Sequence, residues 1–290
     1  MAGGELTRRA ICAQPDWLAQ VPTDRQLPEG MRVLYTGCGT SFHAAQTGGE
    51  AVQALELVLQ PQREADLLVC VSHEGETPLT IEAARAWPGS TWLLTGAPES
   101  AHARLADEVI VAAPEIERSQ CHTASYTCAV ACLAALRGED VSLLSGAAQE
   151  VLDGERFPVS QHDRWLVAGA GRDWPTAKEA VLKLREGAWV AAEAHQTEEL
   201  LHGQLAAVDE SVRCFVLEGE GRAAERAHLA VAALREIGAD ATLVPTLHPV
   251  LDIVRFQLLT VDLAEARGVD PDRIRRDDSR WARAAEAHRG

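Results

Sequence analysis

An α/β fold of two similar, doubly wound lobes with parallel sheets is the architecture that this 290-residue chain predicts. Three observations predict it. Short apolar runs alternate with longer helical patterns, as βαβ units of a parallel sheet require. The alternation restarts at Trp165, after a stretch of small and polar residues from Gly146 to Gly154. Both halves open with a strand running into a Gly-x-Gly turn: Tyr35-Thr36-Gly37-Cys38-Gly39-Thr40-Ser41 in the first, Ala168-Gly169-Ala170-Gly171 in the second.

Taken in order, the first half offers strands at Arg32 to Tyr35, Leu67 to Val71, Thr91 to Leu94 and Glu108 to Ala112. Helical patterns follow at His43 to Leu57, Leu79 to Trp87 and Thr123 to Leu136. The second half repeats the scheme: strand Trp165 to Ala168, helix Pro175 to Ala194, strand Cys214 to Leu217, helix Arg222 to Ile237, strand Ala241 to Val244 and helix Val250 to Arg267. The expected division is an N-terminal segment 1–28, a first lobe 29–150, a second lobe 151–267 and a tail 268–290, in line with roughly 100–200 residues per domain.

Composition narrows the function classes. The 27 Lys+Arg against 43 Asp+Glu give a net charge of −16, which disfavours nonspecific attraction to nucleic acid or to an anionic membrane. An anionic ligand therefore needs a local pocket. Lysine occurs only at Lys178 and Lys183, so Schiff-base chemistry has two side-chain candidates. No apolar stretch approaches the ~18 residues of a membrane span, and MAGGELTRRA lacks a signal core. Seven cysteines without a C-x-x-C pair suggest neither zinc nor redox work. Cys128 and Cys132, four apart on an expected helix, read as core. A cytoplasmic protein with reduced thiols is the expectation.

Four segments could carry chemistry. The Gly37-Cys38-Gly39-Thr40-Ser41 loop lies between a strand and a helix, where backbone N–H groups and hydroxyls can face an anion. It is no dinucleotide fingerprint, because the third glycine would fall at Phe42. A second loop, Ser72-His73-Glu74-Gly75-Glu76-Thr77, also follows a strand, and strand C-termini are where open α/β sheets bind ligands. On the expected helix of the second half, Glu179, Lys183, Glu186 and Glu193 share one stripe at helical spacing. The plain reading is a solvated face with a salt bridge; the functional one is an acid tuned by a lysine for proton transfer. Glu199-Leu200-Leu201-His202 is a Glu-x-x-His pattern, but a metal site of that kind wants a second copy, and none is present. His202 beside Gly203 is then a general acid or base, or a cap.

The order GCGTS, S-x-x-G-E-T, K-L-x-E and E-L-x-H-G-x-L resembles the sugar isomerase (SIS) domain family, as found in the isomerase half of glucosamine-6-phosphate synthase and in related amino-sugar phosphate deaminases and isomerases. The resemblance implies tandem SIS domains from Gln14 to Asp272. It also implies that Glu186 moves a proton between C1 and C2 of an open-chain sugar beside Lys183. His202 would open the ring from a neighbouring subunit, and Ser41, Ser72 and Thr77 would hold a phosphate. With them, Gly39, Thr40, His73, Glu74, Gln120 and His122 make the expected substrate-binding set. No N-terminal nucleophilic cysteine is present, so ammonia from glutamine is not expected.

Three departures stand out. Glu74 replaces the second serine of S-x-S-G-E-T, and a carboxylate ~4 Å from a phosphate costs a few kcal/mol at an effective dielectric near 20. A protonated His73 would offset part of that. Gln120-Cys121-His122-Thr123-Ala124 replaces the usual Val-Ala-Ser-Thr-Lys type segment, and Asp272 to Gly290 contains no lysine for the synthase's Schiff base. The resulting expectation is an aldose–ketose isomerase or deaminase acting on a sugar or amino-sugar, most simply a phosphorylated one. It would need no metal or redox cofactor and would work as a homodimer with a shared active site. The alternatives are a non-catalytic sugar-phosphate sensor of the same fold, or an isomerase whose substrate presents a hydroxyl or ammonium to Glu74.

Overall fold

The computed structural model describes residues 3–61 and 64–287; the outermost residues of the expected N-terminal segment and tail lie outside them. In chain order the elements are α1 (Glu5–Leu18), β1 (Val33–Thr36), α2 (Thr40–Gly48), α3 (Ala54–Leu59), β2 (Leu67–Val71), α4 (Pro78–Ala86), β3 (Ser90–Thr95), β4 (Glu108–Val111), α5 (Ala124–Leu136) and α6 (Leu144–Asp153). Then follow β5 (Arg164–Gly169), α7 (Trp174–Ala188), β6 (Ala191–Gln196), α8 (Thr197–Leu201), β7 (Val212–Leu217), α9 (Arg222–Glu236), β8 (Asp240–Val244), α10 (Pro249–Arg267) and α11 (Ser279–Ala287). They make an α/β fold with two four-stranded, all-parallel sheets, ordered β1-β2-β3-β4 and β6-β5-β7-β8.

Two compact units hold the sheets. The one built on β1–β4 comprises Ala13–Glu117 and His122–Glu150; the other comprises Met1–Cys12, Arg118–Cys121 and Val151–Gly290. In the first unit, alternate strand residues Leu34, Leu68, Cys70 and Leu93 pack on Ala54, Leu57, Ala83 and Trp87 of α3, α4 and the end of α4. In the second, Leu166, Ala168, Cys214 and Val216 pack on Leu200, Ala227, Ala230 and Leu234 of α8 and α9. Helix α2 packs on α5, and α7 on α10. Helix α5 is apolar all round (ASYTCAVACLAAL) and every one of its residues is buried, so it is a core element rather than a half-solvated one.

The two topologies differ at one edge. Tyr35 makes a single parallel bridge to Ala51, with Tyr35 N–H donating to Glu50 and its carbonyl accepting from Val52. In a parallel strand both groups of one residue face the same neighbour, so Ala51 sits on the side of β1 away from β2. It occupies there the place that the six-residue β6 occupies beside β5.

Three expected elements are corrected. The helix expected over His43 to Leu57 is two helices, because Gly48 and Gly49 end α2 and the Ala51 bridge intervenes. Gly146 to Gly154, read only as a stretch of small and polar residues, falls largely within a helix, Leu144–Asp153, with Leu144 and Ala148 buried. The helix expected over Pro175 to Ala194 stops at Ala188, where Trp189 turns left-handed (φ 56°, ψ 34°), and Ala191–Gln196 pairs with β5 as strand β6. Glu193 thereby leaves the stripe of Glu179, Lys183 and Glu186. Helices α1 and α11 answer to no expectation. Among the described residues no helix is long and apolar enough to cross a membrane, and all seven cysteines are free.

Candidate active site

The Gly-x-Gly turn after β1 is dictated by backbone sterics. A Cβ on Gly37 would lie 2.8 Å from the Ser41 carbonyl carbon, and Gly39 caps α2 at φ 54°. The turn consumes its own donors: the N–H of Ser41 binds the Cys38 carbonyl (3.1 Å), while those of Phe42 and His43 bind the Gly39 carbonyl (2.9 and 3.1 Å). The amides of Ser41, Phe42 and His43 are thus committed within the turn. Thr40 and Ser41 line a cavity of about 20 Å³ together with His73, Thr95, His122, Ser125 and Tyr126. That is room for one to two waters, on the scale of ~10–15 Å³ each, and too little for a sugar ring as it stands.

His73 departs from the expectation of a cation. Burial, then the neighbouring His122, pushes its imidazole down to about 4, against the opposite pull of Glu117. Its ring meets His122 edge-on at 5.3 Å. The Glu117 N–H donates to its Nε2 (2.9 Å), which leaves the proton on Nδ1. A neutral, oriented donor stands where the sequence suggested a positive charge. Glu74 is exposed at the crest of its loop and does not line the cavity; Ser72 is buried with its N–H on the Leu94 carbonyl, and Thr77 caps α4. The structure therefore gathers Thr40, Ser41, His73 and His122 around one cavity, and leaves Ser72, Glu74 and Thr77 outside its lining.

In the other unit α7 delivers the lysine and its acids. Lys183 is fully buried, with Nζ 2.7 Å from Glu186 and 3.3 Å from Glu179. Burial alone would depress its ammonium, but Glu186 and Glu179 raise it well above the usual lysine range. Glu186 reaches partly into solvent and lines an open cavity of about 470 Å³. Glu179, at 0 % exposure, is a second carboxylate on the same cation that the solvated-face reading had not placed indoors. Lys178, half-buried over the Trp174 ring at 5.1 Å, has its amine pushed down to about 8 by burial.

Of the other expected residues, neither His202 nor Gln120 lines either cavity. His202 caps α8, is exposed, and bonds Glu198 (2.8 Å), which also binds Arg226. His195 lies on β6, 3.4 Å from Glu193. Gln120 is tied through its N–H to the Asp272 carbonyl (2.9 Å). Asp272 in turn accepts from the N–H groups of Leu6 and Thr7 and from the Thr7 hydroxyl.

Glu117 was not legible in advance. Its buried side chain accepts four hydrogen bonds, from the N–H and hydroxyl of both Thr123 and Ser125 (2.7–2.8 Å). It caps α5 from outside the helix while its own N–H orients His73. The local signal, Thr-x-Ser before an apolar run, marks the helix start but not which distant acid serves it.

The SIS domain model matches residues 159–269. The glutamine–fructose-6-phosphate aminotransferase [isomerizing] of Pyrococcus horikoshii is 29% identical over 301 aligned positions, covering 84% of this chain and 50% of that protein. The Aeropyrum pernix protein of the same name is 31% identical over 307 positions, again with 84% and 50% covered. The chain thus spans about half the length of these curated relatives. Among solved structures, glucosamine-6-phosphate deaminase from Thermotoga maritima superposes with a TM-score of 0.75 at 20% identity, covering 93% of this chain and 97% of that one. Tagatose-6-phosphate ketose/aldose isomerase from Escherichia coli gives 0.76 at 18%, with 93% and 95% covered. These likenesses establish the fold.

Proposed function

We propose that this chain, whose residues 159–269 match the SIS domain model, is an aldose–ketose isomerase or deaminase acting on a phosphorylated sugar or amino-sugar. The supporting observation is the buried Lys183 ammonium held 2.7 Å from Glu186, a carboxylate that opens onto a cavity. On this reading the two units are tandem SIS lobes, 29–150 and 151–267, with 1–28 and 268–290 as flanks. Glu186 takes the proton from C2 of the open-chain aldose, leaving an enediol, and returns it to C1; the hydroxyl proton moves to O1 as the carbonyl forms at C2. Lys183 compensates the charge. Gly39, Thr40 and Ser41 with the neutral donor His73, and His122, hold the phosphoryl end, while Ser72, Thr77 and Gln120 support those loops. Glu74, exposed, is free to point away from the anion. His202, exposed on its own unit, opens the ring in a second copy, so the active form is a cytoplasmic homodimer.

The names of the relatives and structural neighbours, all sugar-phosphate enzymes, agree with this reading. Isomerisation and ammonia release are to be assayed on hexose and hexosamine 6-phosphates, with Glu186→Gln as control. A loss of ~10²-fold or more in kcat is expected for removal of a general acid–base group; unchanged turnover in the variant would remove Glu186 from the chemistry. A sensor of the same fold is favoured by one observation, the 20 Å³ cavity, smaller than a sugar ring and without a lysine or arginine in its lining. Tight sugar-phosphate binding without turnover across the panel would select it.

A further inference from the structure

Among the described residues, three non-glycine residues have left-handed backbone: Trp189 (φ 56°), Ile274 (φ 42°) and Arg275 (φ 66°). All three line the 470 Å³ cavity that also holds Glu186, together with Leu182, Arg185 and Trp281. Such conformations cost on the order of 1–3 kcal/mol each and cluster where a site is held in shape. The guanidinium of Arg275 is gripped between two indoles, 3.4 Å from the Trp281 ring centre and 4.7 Å from that of Trp189. Stacking fixes its plane and leaves the N–H edge to donate.

Among the described residues neither Arg275 nor Arg185 has a carboxylate partner within 4.0 Å, in a chain carrying 43 acidic residues. The enclosed indole N–H of Trp189 has no hydrogen-bond partner there either. Asp278 is close enough to Arg275 for the guanidinium to help hold its carboxyl low, and two arginines line a space of the size that small-molecule ligands occupy, ~300–1,000 Å³.

We propose that this cavity is an oxyanion-binding site, in which Arg275 and Arg185 hold the carboxylate or phosphoryl group of a sugar-sized ligand while the rest of the molecule lies toward Glu186. The lining lies wholly within the unit built on β5–β8, and the proposal stands whether or not Glu186 moves a proton. The indoles act by presenting the Arg275 fork, which suits the bidentate geometry of an oxyanion.

The test is calorimetric titration at low ionic strength and pH 7.5 with three probes: D-glucuronate, glucose 6-phosphate and glucose. At least one anionic probe is expected to bind more tightly than glucose, and which of the two does so identifies the oxyanion. Arg185→Ala and Arg275→Ala should each weaken that probe about tenfold, as loss of a charged hydrogen bond implies. Arg275→Lys, which keeps the charge but not the flat stack, should fall between. Arg222→Ala, which removes an exposed arginine outside this lining, should leave it unchanged, so that loss in the two cavity variants reports the site and not the overall charge. Arg185 is exposed, so the far-ultraviolet circular dichroism and melting of Arg185→Ala are expected to match the unaltered protein, and a difference would assign the lost binding to unfolding and overturn the proposal. Equal binding of all three probes, or anion binding indifferent to Arg185→Ala, would overturn the proposal.

Discussion

The two strand-to-helix turns of this protein share a backbone and differ in every side chain that matters. A Cβ on Gly37 would strike Ser41, and one on Gly169 would strike the Asp173 carbonyl oxygen, each at 2.8 Å; Gly39 and Gly171 take φ 54° and 57°. Ser41 and Asp173 are thus equivalent positions. Around Ser41 stand hydroxyls and a neutral imidazole. Around Asp173 stand Thr246, whose hydroxyl donates to it (3.2 Å), and Arg172, which reaches Glu220 (2.8 Å); Asp252, whose titration Asp173 influences, accepts the Leu247 N–H. Burial raises Asp173, and burial together with Asp173 raises Asp252 to about 7. A glycine turn therefore records a tight backbone connection, and only its side chains decide whether an anion is welcome.

Exchanging that one residue should break the contrast most sharply. Ser41→Asp makes the first turn resemble the second, and a charge ~4 Å from a phosphoryl group costs about 4 kcal/mol at an effective dielectric near 20, roughly a thousandfold in affinity. Titration with glucose 6-phosphate should show binding by the first cavity lost; retained affinity would place the phosphoryl elsewhere. Glu117→Ala comes next. It strips four hydrogen bonds from the start of α5 and frees the loop that orients His73, so a loss of about 3 kcal/mol is expected in denaturant melts. A change under 1 kcal/mol would mean that water replaces the carboxyl group at no cost.

Smaller effects should separate the units by pH. His73 and His102 are both pushed down to about 4, chiefly by burial. Against an unfolded value near 6.5, the unfolded chain binds more protons between those limits, so their contribution is intact above pH ~6.5 and is lost as pH falls toward 4. Asp252 has the opposite sign. Its folded value, about 7, exceeds the unfolded one, so its contribution is present below pH ~4 and is lost as pH rises to 7. Hydrogen exchange read peptide by peptide should show the β1–β4 unit loosening on acidification and the β5–β8 unit on approach to neutrality. His102→Leu, which also removes two ring nitrogens without partners among the described residues, should flatten the acid limb. Asp252→Asn should flatten the other. Identical profiles in both variants would erase the distinction.

How much of this could be read in advance depended on what decides each element. Strands such as Leu67–Val71, buried along their whole length, announce themselves by composition. Strand β6 could not: Ala191, Ala192, Glu193 and Ala194 favour helix, and only pairing with β5 makes them extended. The Lys183–Glu186 pair was visible because helical spacing alone brings it together. Its second acid on the buried side, Glu179, and the Glu117 cap depended on burial and on tertiary contacts, which local patterns do not encode. The charge expected on His73 failed for the same reason, since desolvation is a property of the fold.

The burial of α5 and of the strand interiors turns the thiols into a clock. Cys12 alone is exposed and Cys38 is half-covered, while Cys70, Cys128, Cys132, Cys121 and Cys214 are enclosed. Burial raises the thiol of Cys70, Cys128, Cys132 and Cys214 well above its ordinary range. An alkylating reagent attacks the thiolate, so these sites react only when their surroundings open. Cys128 and Cys132 time the opening of one unit and Cys214 that of the other, so a pulse of reagent followed by mass analysis reads two opening rates from the unaltered chain.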